Sequence, residues 1–367
     1  MPEIRGAQLV AFYLFDVAET IDLAAIPALV AGPALPARLS PKPATPPYVQ
    51  YDKPPLAFDG EAVAAPEIGG FRARIRVYDY GVISIALSRP FSGAWSDLIA
   101  SGLQLVDNAA LEADATSACQ RLVDRLRTAL DKPRQAFLVE DYAVFTVCAL
   151  EQPLTADALI AQHGGDIARL LRGESQPLSA QEIDAVLKNR LSYLADDAVI
   201  PAWNAAFIYD TEAGAAAAED IVEFANSQLL QFRYYDQLLD LELGKLYDEL
   251  QKERRPYLFA ARRYTRAARQ VHALFIDIRE LLDRTENALK FVGDIYAARV
   301  FSLAGARLGL ERWKEHVRDK LRTLDDIYHF AVEQSSIARG EFLELTIIAI
   351  LVFELLPLVS RMVKEGA

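Results

Sequence analysis

Beyond Asp210 the chain nearly stops using proline, and apolar residues recur at intervals of three and four: Phe224, Leu229, Leu230, Phe232, Tyr235, Leu238, Leu239, Leu243, Leu246 and Leu250. That spacing lines one face of a helix and predicts a long amphipathic one. Arg255-Pro256 predicts its end, because proline disfavours helix in the residue before it and is accepted at the first turn of the next. A second helix is expected from Tyr257 to about Leu303. After the Gly305–Gly309 interruption a third is expected from Glu311 to about Ser360, with Trp313, Val317, Leu321, Leu324, Ile327, Tyr328 and Val332 on its apolar stripe. Helices of roughly 40 to 50 residues at about 1.5 Å each span on the order of 60 to 75 Å, longer than a compact domain needs. The expectation for 211–342 is therefore a long antiparallel helical hairpin or coiled-coil array.

The third helix ends in a run that is apolar on every face. Leu343–Val359 holds Leu345, Ile347, Ile348, Ile350, Leu351, Val352 and Phe353, with Glu354 inside it and Arg361 and Lys364 just beyond. A helix of this kind has to be buried in something. Its length, roughly 25 Å, approaches a hydrocarbon core of about 30 Å, and Glu354 at mid-bilayer costs about 2.5 to 3.5 kcal/mol. The reading at this point is a transmembrane anchor at 343–360, which places the protein at the cytoplasmic face of a membrane. The alternative is a soluble cytoplasmic protein in which the run packs against neighbouring helices or another subunit. Arg254, Arg255, Arg262, Arg263, Arg266 and Arg269, a basic stretch without an intervening acid, then either meet anionic headgroups or pair with Glu341, Glu344 and Glu354.

Residues 1–210 have a different texture. Gln8–Phe15 reads as a short buried strand. The segment 32–55 carries Pro33, Pro36, Pro41, Pro43, Pro46, Pro47, Pro54 and Pro55, so it is expected to be an extended connector. Phe71–Leu87 is a hairpin: Phe71, Ala73, Ile75 and Val77 alternate with Arg72, Arg74 and Arg76, and Asp79-Tyr80-Gly81 supplies the turn. Its basic face fits either an anionic ligand or ordinary solvated arginines. Trp95–Leu130 predicts two helices broken near Asp107-Asn108, and Ala136–Leu150 predicts a strand pair around Glu140-Asp141. Ser179-Ala180-Gln181-Glu182 is a capping box, and Ala205–Tyr209 reads as one more strand. The fold class is thus α+β: a mixed α/β amino-terminal domain, then long helices, then an apolar terminal helix.

Chemistry has no clear address in this sequence. With 39 lysines and arginines against 51 acids the formal charge is −12, which disfavours nucleic acid as a partner. Cys119 and Cys148 form no CxxC pair, so a disulfide framework or thiolate zinc site is not expected and a reducing compartment fits. The N-terminus lacks the pattern of a secretory signal, so export by that route is not expected. Asp326, His329 and Glu333 share a helix face at metal-ligand spacing, but the facing candidates, His272, Asp277 and Glu280, lack the partner motif. His163-Gly164-Gly165-Asp166 reads as a turn, and Trp95, Trp203 and Trp313 read as core or interface anchors. No catalytic residue, cofactor or metal is assigned, and a homo-oligomer is the expected state.

The run Leu343-Glu344-Leu345-Thr346-Ile347-Ile348-Ala349-Ile350-Leu351-Val352-Phe353-Glu354 resembles the closing motif of the required-for-meiotic-nuclear-division family, with Leu345-Thr346 where that family has a tryptophan. The helical stretch from Ile276 to Ile337 is similar in layout, and Tyr80-Gly81-Val82 resembles the family's Tyr-Gly-Val strand. The resemblance implies an α/β amino domain, a helical hairpin, a carboxyl-terminal membrane anchor and no established enzymatic activity; mitochondrial members are inner-membrane proteins linked to translation. It carries over no catalytic residues. The expected function is accordingly that of a non-enzymatic, membrane-associated oligomeric scaffold. Two alternatives stand beside it. The order of elements also resembles CorA-type magnesium channels, although the Gly-Met-Asn selectivity motif and a second membrane helix are missing from the sequence. A soluble enzyme or ligand-binding protein would have its site in the α/β domain, with Arg72, Arg74 and Arg76 facing convergent carboxylates.

Overall fold

The computed structural model describes residues 3–30, 35–36, 54–60, 67–68, 70–251 and 295–365, together with 275, 276, 278, 279 and 283. In chain order the strands are β1 (Glu3–Asp16), β2 (Thr20–Ile21), β3 (Leu35–Pro36), β4 (Leu56–Asp59), β5 (Glu67–Ile68), β6 (Phe71–Val77), β7 (Val82–Ala94), β8 (Leu130–Asp131), β9 (Leu138–Leu150), β10 (Ala198–Pro201) and β11 (Ala205–Tyr209). The helices are α1 (Ile26–Leu29), α2 (Trp95–Leu103), α3 (Ala109–Leu126), α4 (Ala156–Arg172), α5 (Ala180–Leu187), α6 (Glu212–Gln251), α7 (Ile295–Leu308) and α8 (Leu310–Glu365). The protein is α+β.

One sheet organises the amino-terminal part, in the order β10-β11-β9-β1-β7-β6-β4-β3, with β5 also paired to β6. β1 lies at its centre, antiparallel to both β7 and β9, while β11 runs parallel to β9 after the crossover through α4 and α5. Alternation along the strands separates two faces. Leu9, Ala11, Tyr13 and Phe15 of β1, with Ile83, Ile85 and Leu87 of β7 and Phe145 and Val147 of β9, join the apolar core. The same core takes Trp95, Leu98, Leu122, Leu126, Leu159, Ile167 and Leu171 from α2, α3 and α4. The opposite face carries Leu14, Ser84, Arg76 and Glu140 across one row of four strands.

Local signals place several boundaries. Asn108 caps α3, its side chain accepting from the N–H groups of Ala110 and Leu111, and Ser179 caps α5 by accepting from the Glu182 N–H at 3.2 Å. The β6–β7 hairpin turns where Asp79-Tyr80-Gly81 predicts it, with Val77 opposite Ile83. Two expectations are corrected. Glu140-Asp141 does not turn: β9 is one continuous strand, in which Glu140 lies on the polar face and pairs with Arg233 of α6. His163–Asp166 is not a turn but the middle of α4, where Gly164 leaves room for Leu187 of α5 and Asp166 accepts the indole N–H of Trp95 at 3.2 Å. Trp95 is fully buried, with its ring 4.6 Å from that of His163, whereas Trp203 is 62% exposed between β10 and β11.

The chain divides into two compact units, Met1–Tyr234 with Arg284–Trp313, and Tyr235–Asp283 with Lys314–Ala367. α6, 40 residues long, and α8, 56 residues long, contribute to both. In the second unit Lys320 of α8 lies 2.7 Å from both Asp236 and Asp240 of α6, and Leu239, Val317, Leu321 and Leu324 are buried.

The membrane expectation is overturned. Among the described residues no helix is long and apolar enough to cross a membrane, so the anchor and the transmembrane helix are withdrawn. The physical reason is visible in the segment: an apolar stretch of roughly 25 Å, interrupted by Glu344 and Glu354, continues a helix whose earlier turns are charged. Leu345, Val352, Phe353 and Glu354 belong to α8, and the side chains of Ile347, Ile348, Ile350 and Leu351 are 49–56% exposed. Arg254, Arg255, Arg262, Arg263, Arg266 and Arg269 lie outside the described residues, as does most of the connector 32–55.

Candidate functional site

The part of α6 that belongs to the first unit bears an unusual stripe. Glu219, Asp220, Glu223, Ser227, Gln228 and Gln231 fall three and four residues apart, and all are buried. The helix is started by Thr211, whose hydroxyl accepts from the Gly214 N–H at 3.2 Å. Facing the stripe are polar residues that strand alternation puts on the non-core side of the sheet: Arg74 and Arg76 of β6, Glu140 and Thr146 of β9 and Asp16 of β1, with Tyr80 of the β6–β7 turn.

Arg76, which is 5% exposed, is held at both terminal nitrogens. Its Nη1 donates to Glu223 Oε2 at 2.5 Å and its Nη2 to Asp220 Oδ1 at 2.6 Å. Burial works against the guanidinium's charge, and the neighbouring Glu223 and Asp220 more than offset it, so the group is held above its ordinary range. Arg74, nearer solvent, lies 4.0 and 3.8 Å from the same two carboxylates. Arg72 is exposed and does not join them. The strand-face arginines thus do meet convergent carboxylates, but α6 supplies them and they neutralise the basic face from within.

Polar contacts continue along α6. The hydroxyls of Tyr80 and Ser227 are 2.7 Å apart, and Gln228 donates to the Tyr80 hydroxyl at 3.2 Å. Asp16 accepts from Gln231 at 3.0 Å and from Arg134 at 2.9 Å, and Arg134 stacks 3.9 Å over the ring of Tyr234. Burial raises the carboxyls of Asp16 and Glu140, while Arg134 and Arg233 respectively pull them back down. Glu219 stands out. Burial pushes its carboxyl up to about 7 against the pull of Arg74, so it exchanges its proton near neutrality. A strongly shifted carboxyl of this kind marks a site worth testing. The apolar periodicity of α6 gave no hint of it; the available signal was the Glu219, Asp220, Glu223 spacing set against the alternating arginines.

Elsewhere the candidates do not assemble. On the core side of β9 a shallow depression with room for little more than a water molecule is lined by Tyr13, Val106, Asp107, Asp141 and Asn204, and the Asp141 carboxyl is raised by burial and then by the charge of Asp107. His329 lies 3.7 Å from Asp325 on an exposed face of α8, and among the described residues no three His, Cys, Asp or Glu side chains converge as metal ligands. His272, Asp277 and Glu280 lie outside the described side chains.

Both thiols are held protonated. Burial raises Cys119, and burial followed by the carboxylates of Glu219, Glu212 and Asp210 pushes Cys148 up to about 11. At pH 7.5 such a thiol is ionised in on the order of one molecule in a few thousand. A chromogenic disulfide reagent is therefore expected to label neither cysteine in the folded protein over the time in which it labels both in urea. Rapid labelling of one thiol per folded chain would contradict this assignment.

The family described as "Uncharacterized protein MJ0711, N-terminal domain" matches residues 6–216, which run from β1 into the first turn of α6 and include Arg74, Arg76 and Thr146 but not Glu219. The relative "Uncharacterized protein MJ0711" of Methanocaldococcus jannaschii is 23% identical over 244 residues, covering 66% of this chain and 73% of its own length. No solved structure matches the chain. With more than half of its residues inside the matched region, the chain belongs to the MJ0711 N-terminal domain family.

Proposed function

We propose that the protein is a non-enzymatic scaffold that works as an oligomer, with the apolar end of α8 pairing against the same segment of a second copy. One observation carries this reading: in a single chain Ile347, Ile348, Ile350 and Leu351 are each about half exposed within a short stretch of one helix. Ile347 and Leu351 are four residues apart and Ile348 and Leu351 three, so they share a helical face of the kind that pairs in coiled coils. Exposed apolar patches of this sort mark association surfaces. The likeness of Leu343–Glu354 to the closing motif of a family without established enzymatic activity supports the same reading. The soluble-enzyme alternative ranks below it, because Arg74 and Arg76 are already engaged by Asp220 and Glu223.

Light scattering on the eluting full-length protein tests the proposal. The expected mass is at least twice the chain's 40.7 kDa, and the double substitution Ile347→Glu with Leu351→Glu is expected to bring it down to one chain while leaving the far-ultraviolet circular dichroism of the folded protein in place. A wild-type mass of one chain throughout the micromolar range would end the proposal.

A further inference from the structure

Thr146 has one hydroxyl proton and two acceptors within reach. Its Oγ1 lies 3.1 Å from the carbonyl oxygen of Gln8 on β1 and 3.2 Å from Glu219 Oε1 on α6. A hydroxyl donates a single hydrogen bond, so it cannot serve a carbonyl and a carboxylate at once. Were Glu219 ionised, one of these oxygens would confront the hydroxyl with no proton between them, at a place where Glu219 is 6% and Thr146 1% exposed. Two buried oxygens held at hydrogen-bond distance with no proton between them repel, which is unfavourable. With the proton on Glu219 the chain of bonds closes: the carboxyl O–H donates to Thr146 Oγ1, and Thr146 donates to Gln8.

Counting charges leads to the same place. Three carboxylates of α6, Glu219, Asp220 and Glu223, share two guanidiniums, Arg74 and Arg76, and the closest ion pairs all go to Asp220 and Glu223. Glu219 is the surplus acid. We infer that α6 docks on the sheet with Glu219 protonated, so that this carboxyl is a proton-binding site whose emptying loosens the start of α6 from β9 and β1.

The groups that face Glu219 divide by sign. On α6, Asp220 and Glu223 favour the proton; on β6, Arg74 opposes it. On β9 stand Thr146 and the thiol of Cys148, whose own ionisation Glu219 disfavours. β1 offers the Gln8 carbonyl, and α7 meets α6 through the rings of Phe301 and Phe224, 5.6 Å apart. When the proton leaves for water, the cations that the described residues bring near, Arg74 and Arg76, are already paired with Asp220 and Glu223. Burial places this event near pH 7 rather than in the ordinary carboxylate range. A folded-state value raised above the unfolded one means that stability is fully present below about pH 4.5 and is lost as pH rises through about 7.

The test is thermal unfolding of the full chain from pH 5 to 8.5, for the wild type and for Glu219→Gln, whose amide donates to Thr146 without titrating. The wild-type midpoint is expected to fall with rising pH by on the order of 5 °C across this window, and Glu219→Gln is expected to remove that fall and to melt higher than the wild type at pH 8. Parallel profiles for the two proteins would overturn the inference. If Glu219→Gln does not fold, carbon NMR of wild-type protein labelled at its glutamate carboxyls reads the group directly. The expected result is one resonance that titrates near pH 7 and is displaced in Thr146→Ser, and its absence overturns the inference equally.

Discussion

Replacing Arg76 by alanine is expected to destabilise the first unit by roughly 3–5 kcal/mol, measured by urea unfolding at pH 7. The magnitude is that of breaking a buried ion pair from one side, where the damage comes from the charges left behind. Glu223 is 1% and Asp220 9% exposed, and neither can turn to water without α6 lifting from the sheet. Arg74 lies within 4.0 Å of both, but its side chain is 40% exposed and it relieves only part of the deficit. Two comparisons isolate the cause. Arg72→Ala, on an exposed neighbour in the same strand, is expected to change stability by no more than about 0.5 kcal/mol. Replacing the whole group, Arg76→Met with Asp220→Leu and Glu223→Leu, is expected to recover most of the loss, since an apolar trio of similar volume needs no charge compensation. A loss below about 1 kcal/mol for Arg76→Ala would mean that the carboxylates find solvent, and that α6 is not held on the sheet through this contact.

Gly81→Ala is expected to destabilise by roughly 2–4 kcal/mol, combining the penalty for a left-handed backbone with that of an overfilled contact. Gly81 has φ +84°, and a Cβ there would fall on the carbonyl oxygen of Ala18, well inside van der Waals contact. The obstacle is backbone, so no rotamer relieves it. Moving the turn away would also stretch the bond from the Val17 N–H to the Gly81 carbonyl, 2.9 Å long, and shift Tyr80 from Ser227. Gly309, between α7 and α8, provides the control: its φ is +71°, but no described atom lies within 4 Å of where its Cβ would stand. Gly309→Ala is expected to cost about 1 kcal/mol, the backbone term alone. Equal losses at the two positions would show that the clash at Ala18 is relieved by local movement.

Much of the framework was readable from residue order. The alternation of Phe71, Ala73, Ile75 and Val77 with arginines marked β6, the break near Asp107-Asn108 fell just before α3, and the capping box at Ser179 marked the start of α5. The periodicity after Asp210 marked the start of α6 to within a residue or two, and the apolar and charged stripes after Gly309 marked α8. The misreadings share a cause. Glu140-Asp141 looked like a turn because paired acids are rare in strand interiors, and Arg233, 93 residues away, is what makes Glu140 tolerable there. Gly164-Gly165 looked like a loop because glycine weakens helices, and contact with Leu187 explains Gly164 within α4. The apolar run after Leu343 looked like a membrane anchor because hydrophobicity says that a segment avoids water and not what shields it.

The β6 alternation, the start of α6, the Ser179 cap, the hairpin turn and the surplus of acid over base follow from residue order because each rests on neighbours within a few positions: a side chain repeating every second or every third to fourth residue, a cap three residues from its donor, a charge that only needs counting. The pairing of Arg76 with Glu223, 147 residues apart, and of Gln231 with Asp16, 215 apart, has no such local cause. It arises where α6 crosses the sheet, because folding removes water from a face that strand alternation had made polar, and every charge stranded there must then find a partner or, at Glu219, take up a proton.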